Sequence, residues 1–440
     1  MLGEGPARSS EICSALGVSQ PSVSRLLKRH SAEVLAIGRA RARVYARRRS
    51  IPGLGASLPV YQVGESGTTR RAATLHAIYE EGFYVESLVD EIRAQVYDYE
   101  ALPYFLRELR PSGYLGRKLS RRHQDLGLPE LVDDWSANHC LRYLARYGWD
   151  LPGDLIIGDQ ALELYLAGSK VSSEGISLAQ RSERYLLLAR GALREGRGGS
   201  SAGGEQPKFL AHVGPEAKAV LVKFSPPLEG RAARRTADLL VVEHLAHETL
   251  RRHGHPASRS ALVVTPERLF LEVERFDRFP GGGRRGVLAY RALNAEFYGV
   301  AGSWGDSALA LGSQGQISPE VTREILWLEQ FGRLIANNDM HHGNLSFFVK
   351  GETLLGLTPV FDMTAMFYAP QGGNLPEGVY EPPTPIPMHS EVWRSAYEAA
   401  HDLWVAVGNH EAVSEAFQEI AAATLERLEV WRQVAERLPT

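Results

Sequence analysis

The amino-acid sequence predicts an α+β protein: an N-terminal winged helix-turn-helix head, followed by a two-lobed body whose second lobe is mainly helical. Two observations lead to this prediction. The charge changes sign near residue 50, where the linker-like stretch "SIPGLGASLP" (50–59) begins. Beyond residue 205, short apolar runs typical of strands give way to long segments with helical periodicity, such as "AVSEAFQEIAAATLERLEVWRQVAERL" at 412–438.

The composition is that of a globular protein large enough for two or three domains, with 440 residues, 44% hydrophobic and 23% charged. Cys13 and Cys140 are the only cysteines and lie far apart, which argues against a disulfide framework and for a reducing compartment. The sequence has no run of about 18 apolar residues, and its first ten residues lack the apolar segment of a signal peptide. We therefore expect a cytoplasmic protein without a membrane span.

The net charge of −3 conceals an uneven distribution. Residues 1–50 contain 10 Lys and Arg against 3 Asp and Glu, whereas the remainder contains 39 against 49. A basic head on an acidic body indicates that the head is the part that meets a polyanion.

Residues 9–30, "SSEICSALGVSQPSVSRLLKRH", have the pattern of two short helices around a turn at Gly17. Val23, Leu26 and Leu27 are expected to face inward, and the polar and basic positions of the second helix to face a major groove. The stretch "VLAIGRARARVYARRR" (34–49) alternates apolar residues with arginines. It predicts a β-hairpin, the wing, whose arginines would contact phosphates.

The head is therefore predicted to bind duplex DNA. The candidate contacts are Gln20, Ser22, Arg25, Lys28, Arg41 and Arg43, with Arg39 and Arg47–Arg49 as further contacts to phosphates. The alternative is a small helical interaction domain whose basic residues form a solvated face.

The predicted boundaries divide the chain into a head at 1–50, a first lobe at 57–276 and a second lobe at 277–440. Within the first lobe, "LPVYQVG" and "FYVES" predict strands, and the intervening "TLHAIYEEG" (74–82) stays undecided.

A glycine-rich stretch, "GRGGSSAGGEQPKF", occupies residues 196–209. Glycines allow close approach of backbone N–H groups to an anion, so the stretch suits a phosphate-binding loop. It matches neither the Walker A sequence nor the G-x-G-x-x-G spacing, and a plain surface loop is the alternative.

Lys223 lies inside the apolar run "AVLVKFSPP", where a lysine is costly to bury without an anion. Glu243 follows 20 residues later in a helical run, and a strand lysine paired with a helix glutamate is the arrangement with which kinases orient nucleotide phosphates. Alternatively, the lysine extends to solvent and the glutamate lies on an exposed face. The order along the chain then places a hinge at 268–283, where backbone groups of Glu274 and Phe276 would meet an adenine.

The densest polar run is "NNDMHHGNLSFF" (337–348). Asp339 and Asn344 are five residues apart, the spacing of the kinase catalytic loop, in which the Asp accepts the substrate proton and the Asn binds Mg²⁺. Asp362 follows 18 residues after Asn344 and would be a second oxygen ligand. Two alternatives are a zinc or iron site at His341 and His342, and a purely structural turn.

In this order, "SSAGGEQPKF", "VLVKFSPP", "VERFDRF", "NNDMHHGNLSFF" and "LTPVFDM" resemble motifs of the HipA family, serine/threonine kinases of bacterial type II toxin–antitoxin systems. The resemblance covers roughly residues 57–430. The attached helix-turn-helix makes the chain similar to the YjjJ-like branch of that family.

The resemblance implies a protein-kinase-like fold and a set of roles. Ser201 would be the autophosphorylated serine, with the adjacent Ser200 as the alternative, and Asp339 would be the catalytic residue together with Lys223. Asn344 and Asp362 would hold Mg²⁺. The implied ATP-binding residues are Ala202, Gly203, Gly204, Glu205, Gln206, Lys208, Lys223, Glu274, Phe276, His341, Gly343 and Asn344.

We therefore expect an enzyme that uses ATP and Mg²⁺ to phosphorylate a protein serine or threonine. The resemblance implies an aminoacyl-tRNA synthetase or a translation factor as the substrate, and the fused head leaves open whether a separate antitoxin is a partner. The alternatives are a transcription regulator whose body only senses nucleotide, and a small-molecule kinase.

Overall fold

The structure is a computed structural model of the chain. It describes residues 2, 5–79, 81–97, 102–111, 113–116, 119–171, 175–194, 206–299, 302–376, 378–384 and 390–435.

The head consists of two helices and a small antiparallel sheet. Its elements are β1 (Ala7–Arg8), α1 (Ser9–Leu16), α2 (Gln20–Arg29), β2 (Val34–Ile37) and β3 (Val44–Arg47). Gly17 ends α1 with a φ of 65°, a value that glycine adopts without steric cost. The two predicted helices and the predicted hairpin of β2 and β3 are confirmed.

The core of the head is small and leaves part of α2 uncovered. Ala7, Ile12 and Val23 form its buried cluster. The expectation that Leu26 faces inward is wrong, because this side chain is 41% exposed. A module of two short helices has no third helix, within its described residues, to cover that face of α2.

The middle of the chain forms a five-stranded antiparallel sheet in the order β7-β6-β5-β4-β8. Its strands are β4 (Ser57–Val63), β5 (Thr69–Ile78), β6 (Gly82–Ser87), β7 (Gln95–Tyr97) and β8 (Leu155–Ile157). The helices of this region are α3 (Gly113–Gly116), α4 (Leu119–Arg122), α5 (Ala137–Tyr147), α6 (Asp159–Val171) and α7 (Arg181–Arg194). The undecided stretch at 74–82 is mostly strand, because β5 extends to Ile78.

The head packs directly on this middle sheet. Leu35 and Ile37 of β2 share a buried cluster with Ile78 and Tyr84. The Tyr79 amide also donates to the Arg47 carbonyl at 2.7 Å, so backbone hydrogen bonding continues from the head into the sheet. The head is therefore attached to the body through its wing.

This packing corrects the expected role of two arginines. The Arg49 guanidinium donates to Asn138 at 2.8 Å and lies 4.9 Å from the centre of the Phe83 ring. Arg48 donates to the Ser57 hydroxyl at 3.4 Å. Both side chains stabilise the contact between head and body, so the expectation that they contact phosphates is wrong for these two.

The part of the chain beyond residue 205, here called the catalytic body after the activity predicted from the sequence, contains two further sheets. The first has the order β11-β12-β10-β9 and is formed by β9 (Lys208–Val213), β10 (Lys218–Phe224), β11 (Ser260–Val264) and β12 (Leu269–Glu274). Helix α8 (Arg231–Arg252) packs on one face of this sheet and α7 on the other. The segment predicted as one lobe, 57–276, thus contains two separate sheets.

The second lobe is mainly helical. Its sheet has the order β13-β14-β15 and consists of β13 (Gly286–Ala289), β14 (Ser346–Lys350) and β15 (Thr353–Leu357). Its helices are α9 (Tyr290–Phe297), α10 (Trp304–Ser313), α11 (Pro319–Leu334), α12 (Ser390–Asn409) and α13 (Glu415–Ala435). The predicted C-terminal helices are confirmed by α12 and α13. None of the helices that the structure describes has the length and apolar character needed to cross a membrane.

A close backbone contact joins the middle sheet to the catalytic body. The Arg284 amide donates to the Gly64 carbonyl at 3.1 Å, and the Tyr165 hydroxyl donates to the Gly282 carbonyl at 2.9 Å. Between them lies Gly283, where an added Cβ would overlap the Glu65 carbonyl.

We predict that Gly283→Ala lowers the free energy of unfolding by about 2 kcal/mol, because the backbone of 64–67 must move to admit the methyl group. Thermal melting of the full chain measures this. Gly191→Ala is the matched control, because its Cβ meets nothing within 4 Å in helix α7. Equal melting temperatures for the two variants would contradict the prediction.

Candidate functional site

The centre of the site is a buried ion pair between strand β10 and helix α8. Side chains alternate along β10, so Val222 and Phe224 face the cluster under α7 while Lys223 faces α8. The Lys223 Nζ lies 2.7 and 2.8 Å from the two carboxylate oxygens of Glu243. Both side chains are buried. The predicted pairing of the strand lysine with the helix glutamate is confirmed.

Asp362 brings a third element to the same ammonium group. Its Oδ1 accepts a hydrogen bond from Lys223 Nζ. Its φ of 56° is in the left-handed region, which is unfavourable for a residue with a Cβ. Two residues later, the Thr364 hydroxyl donates to the Leu239 carbonyl of α8 at 2.8 Å, and this bond holds the segment against the helix.

The charges of this cluster stabilise one another. Burial by itself lowers the pKa of Lys223, but Asp362 and Glu243 outweigh it, so the pKa lies above its ordinary value and the group is an ammonium. Burial raises the pKa of Asp362, yet Lys223 and Lys208 hold it below its ordinary value. Asp362 is therefore a carboxylate, as a metal ligand must be.

Lys208 adds a second cation on the neighbouring strand. It is the cross-strand partner of Lys223 in the pairing of β9 with β10. Like charges directly opposite each other on a sheet repel. The two lysines therefore concentrate positive charge at one place on the sheet, which suits an anionic ligand.

The catalytic-loop candidates meet as their spacing predicts. The loop begins after α11 and passes through Ala336, whose φ is 61°. The Asp339 amide donates to the Asn337 side-chain oxygen at 3.1 Å, and the Asn344 side-chain amide donates to the Asp339 carbonyl at 2.9 Å. These two bonds fix the loop and leave the Asn344 side-chain oxygen as a potential ligand.

Asp339 lies close enough to the ion cluster to respond to it. Burial raises the pKa of Asp339, the His341 ring lowers it, and the negative charge of Asp362 raises it further. The net shift is upward, which makes this carboxylate a better proton acceptor than a solvated aspartate.

The two adjacent histidines have different partners. The His341 Nδ1 accepts from the Gly343 amide at 3.0 Å, which shapes the turn between them. The His342 Nε2 is hydrogen-bonded to the Ser307 hydroxyl at 2.8 Å. Within the described residues, no group of three or more His, Cys, Asp or Glu is arranged to hold a metal ion.

The predicted adenine segment adjoins the cluster. The Phe276 ring lies 5.9 Å from the Phe361 ring and 5.7 Å from the Phe348 ring, centre to centre. Phe361 immediately precedes Asp362. The Glu274 amide donates to the Arg259 carbonyl at 2.8 Å and is thus used in strand pairing, while the contact of backbone groups of Glu274 and Phe276 with an adenine stays a prediction.

The remaining nucleotide candidates divide into two groups. Gln206 begins the described part of the catalytic body, and its side-chain amide donates to the Phe224 carbonyl at the end of β10. The glycine-rich loop candidates lie outside the described residues, namely Ser200, Ser201, Ala202, Gly203, Gly204 and Glu205.

Four of the six DNA-contact candidates are exposed on the head. Gln20, Arg25 and Lys28 are exposed on α2, and Ser22 is half-buried. Arg43 is exposed at the base of the wing. Arg41 belongs to the turn Ala40–Ala42 between β2 and β3.

Sequence analysis missed two residues that organise the site. Asn337 is buried and joins the loop to the segment of the predicted ligand Asp362 (362–364, here called the metal-ligand segment), because its amide nitrogen lies 3.5 Å from the Met363 sulfur. Thr364 anchors that segment to α8. The double asparagine before Asp339 was a usable signal, since an Asx side chain commonly accepts from the amide two residues on.

The oxygen atoms at the site fit magnesium. Asn344 and Asp362 supply an amide oxygen and a carboxylate, both hard ligands. Mg²⁺ is usually bound by one or two carboxylates together with substrate phosphates and water.

Comparison with known proteins places the chain in a family. The model of the YjjJ-like toxin middle domain matches residues 54–166, and that of the HipA-like C-terminal domain matches residues 200–432. Toxin YjjJ of Escherichia coli (strain K12) is 34% identical over 445 residues, which cover 100% of this chain and 98% of that protein. The chain belongs to the YjjJ-like toxin family. The resemblance to the HipA family drawn from the motifs is confirmed.

Solved structures extend the comparison to the fold. A chain from the Shewanella oneidensis MR-1 complex of HipA, HipB and its operator DNA matches with a TM-score of 0.54 and 15% identity. The match covers 87% of this chain and 99% of that one. The Helicobacter pylori proinflammatory kinase CtkA matches 55% of this chain and 96% of its own, with a TM-score of 0.39 and 15% identity. The first match shows that the family shares the HipA fold.

We predict that Lys223→Met strongly destabilises the chain, because it leaves Glu243 buried without its cation. Removal of one partner from a buried pair costs about 3–5 kcal/mol. The double variant Lys223→Met/Glu243→Leu removes the two buried charges and leaves Asp362, whose side chain is 37% exposed and can be solvated, so it is expected to recover most of the lost melting temperature.

Arg190→Met is the control for loss of a cation, because Arg190 forms an exposed pair with Glu267 at 2.9 Å. Its effect on stability should stay within about 1 kcal/mol. A double variant that melts as low as Lys223→Met would show that the ion pair is not the cause.

Proposed function

We propose that the chain is a Mg-ATP-dependent serine/threonine protein kinase of the HipA toxin type, whose head binds DNA. The observation that carries this proposal is the Lys223 ammonium held between Glu243 and Asp362, with Asp339 near enough to feel the charge of Asp362. Phosphoryl transfer requires positioning and charge stabilisation more than covalent chemistry from the protein.

Each residue of the site has a part in that reaction. Lys223 and Lys208 bind phosphate oxygens, and Glu243 keeps Lys223 in place. Asn344 and Asp362 would hold Mg²⁺, which would supply charge neutralisation at the phosphates. Asp339 accepts the proton of the substrate hydroxyl, a role that its raised pKa favours.

The position of Asp339 favours a kinase over a protein that only senses nucleotide. A sensor needs cations and metal ligands for ATP, which Lys223, Asn344 and Asp362 supply. It has no use for a carboxylate with a raised pKa beside them. Two hydrogen bonds hold the Asp339 loop in this place: the Asp339 amide donates to the Asn337 side chain, and the Asn344 side chain donates to the Asp339 carbonyl.

Autophosphorylation and partners complete the proposal. Ser201 is the proposed autophosphorylation site, supported by the motif resemblance. The proposed substrate is a protein of the translation apparatus, such as an aminoacyl-tRNA synthetase or a translation factor. The structurally similar chain comes from a complex that contains HipB and operator DNA, which supports a DNA partner here and a separate antitoxin as a second one.

We predict that Asp339→Asn abolishes phosphoryl transfer, by about 100-fold or more, and leaves Mg-ATP binding intact. The measurement is incubation with labelled ATP and Mg²⁺, with mass spectrometry of the chain to map phosphate to Ser200 or Ser201. Deprotonated Asp339 is the active form, and its pKa is raised. Wild-type activity should therefore rise with pH, with a midpoint above the pKa of a free aspartate.

Calorimetry of Mg-ATP binding is the control, since it separates loss of chemistry from loss of nucleotide. Near-normal transfer by the folded Asp339→Asn variant would rule out this loop as the catalytic one.

We predict that Arg25→Ala in the full chain weakens binding to duplex DNA and reduces the slope of log affinity against log salt by about 1. Arg25 is exposed on α2, where it would release one counterion from a phosphate or contact a base edge. The full chain is required because the head packs on the middle sheet.

Arg184→Ala provides the comparison, because Arg184 is an exposed arginine on α7 of the body. Equal salt slopes for the two variants would exclude α2 from the DNA interface.

A further inference from the structure

The chain segment next to the predicted adenine site has two different faces. The Phe276 ring lies against Phe348 and Phe361, whereas its two neighbours in sequence, Arg275 and Asp277, are hydrogen-bonded to each other. The Phe276 ring packs near Phe361, the neighbour of Asp362. Arg275 and Asp277 enter a buried set of charges that faces the middle region of the chain.

Asp277 is the centre of this set. Its carboxylate accepts hydrogen bonds from Arg275 at 3.0 Å through each of its two oxygens and from Arg278 at 2.7 Å. It also accepts from the Gly153 amide at 2.9 Å, in the segment before β8. Burial raises its pKa, but Arg275 and Arg278 outweigh burial and hold the pKa below its ordinary value.

The middle region supplies the second carboxylate. Asp150 lies 3.2 Å from Arg275 and 3.0 Å from Arg278. Arg278 further donates to the carbonyls of Leu151 and Gly153. Segment 150–153 and segment 275–278 are thus joined both by ion pairs and by hydrogen bonds to backbone carbonyls.

Burial of these charged groups costs free energy. Arg284 lies beside it, and two of its guanidinium nitrogens, Nε and Nη1, are buried without a hydrogen-bond partner in the structure. Burial and the charge of Arg278 lower the pKa of Arg284 to about 9. Buried ionic groups contribute little net stability, and their best-attested use is to specify one arrangement of the elements they join.

We propose that Asp277 and Asp150 are positioning residues for the nucleotide, through which the middle domain sets the place of the adenine-facing segment 274–276. This inference rests on the proposed ATP-binding function. The middle domain is then part of the nucleotide site, although its own strands contribute no contact to Lys223, Glu243 or Asp362 among those described.

The two ends of the nucleotide depend on different parts of the chain, which makes the inference testable. The adenine would meet segment 274–276, whereas the phosphates would meet Lys223 and Lys208 on β10 and β9. Loss of Asp277 or Asp150 should therefore weaken ligands that contain adenine and spare inorganic tripolyphosphate.

Calorimetry on the full chain tests this with Mg-ATP and Mg-tripolyphosphate as probes, using wild type, Asp277→Asn and Asp150→Asn. We expect about tenfold weaker Mg-ATP binding in both variants and unchanged tripolyphosphate binding. Glu267→Gln is the matched control, because it removes a carboxylate from an exposed ion pair with Arg190 on the same body. Its affinities for both probes should equal those of wild type.

Circular dichroism establishes that each variant is folded. If Asp277→Asn does not fold, Asp150→Asn decides alone, since its side chain is 29% exposed and its loss is better tolerated. Unchanged Mg-ATP affinity, or equal loss for both probes, overturns the inference. A wild-type chain that binds no Mg-ATP overturns the proposed function as well, and this is seen before any variant is compared.

Discussion

The ammonium group of Lys223 is the contact on which the arrangement of the catalytic body depends. Three elements distant in sequence meet there: strand β10, helix α8 through Glu243, and the segment after β15 through Asp362. A buried charge is stable only with its partners in place. Movement of α8 or of the Asp362 segment would leave the Lys223 charge buried without a partner, which costs free energy. The three elements are therefore held in one relative position.

Two residues beside this contact have a strained backbone, and hydrogen bonds from neighbouring residues keep them in place. Ala336 and Asp362 both have positive φ values, which cost energy in residues with a Cβ. The Phe367 amide donates to the Ala336 carbonyl at 3.0 Å, and Thr364 is bonded to α8. The catalytic loop and the metal-ligand segment are thereby joined to each other as well as to Lys223. A site that is positioned before its ligand arrives is what charge stabilisation of phosphoryl transfer requires.

The motif residues were predictable because their chemistry is local and their spacing is short. The five-residue spacing from Asp339 to Asn344 closes a loop that two hydrogen bonds suffice to hold. Lys223 was also recognisable, since a lysine in an apolar strand needs a buried anion. Leu26 and Arg48 were not predictable in the same way. The exposure of Leu26 and the contacts of Arg48 depend on which other parts of the chain pack against the head. Periodicity within a helix or hairpin carries no information about such a partner surface.

The sequence by itself determined the order of the elements, the helical second lobe, the ion pair and the family to which the chain belongs. Only the tertiary structure decided that segment 57–276 contains two sheets and that the wing packs on the first of them. It also decided that Asp277 and Asp150, which are 127 positions apart in sequence, both bind Arg275 and Arg278. The physical reason is the range of the forces involved. Backbone propensity and side-chain periodicity act over a few neighbouring residues, whereas buried charges such as these find their partners only when distant segments are brought together by folding.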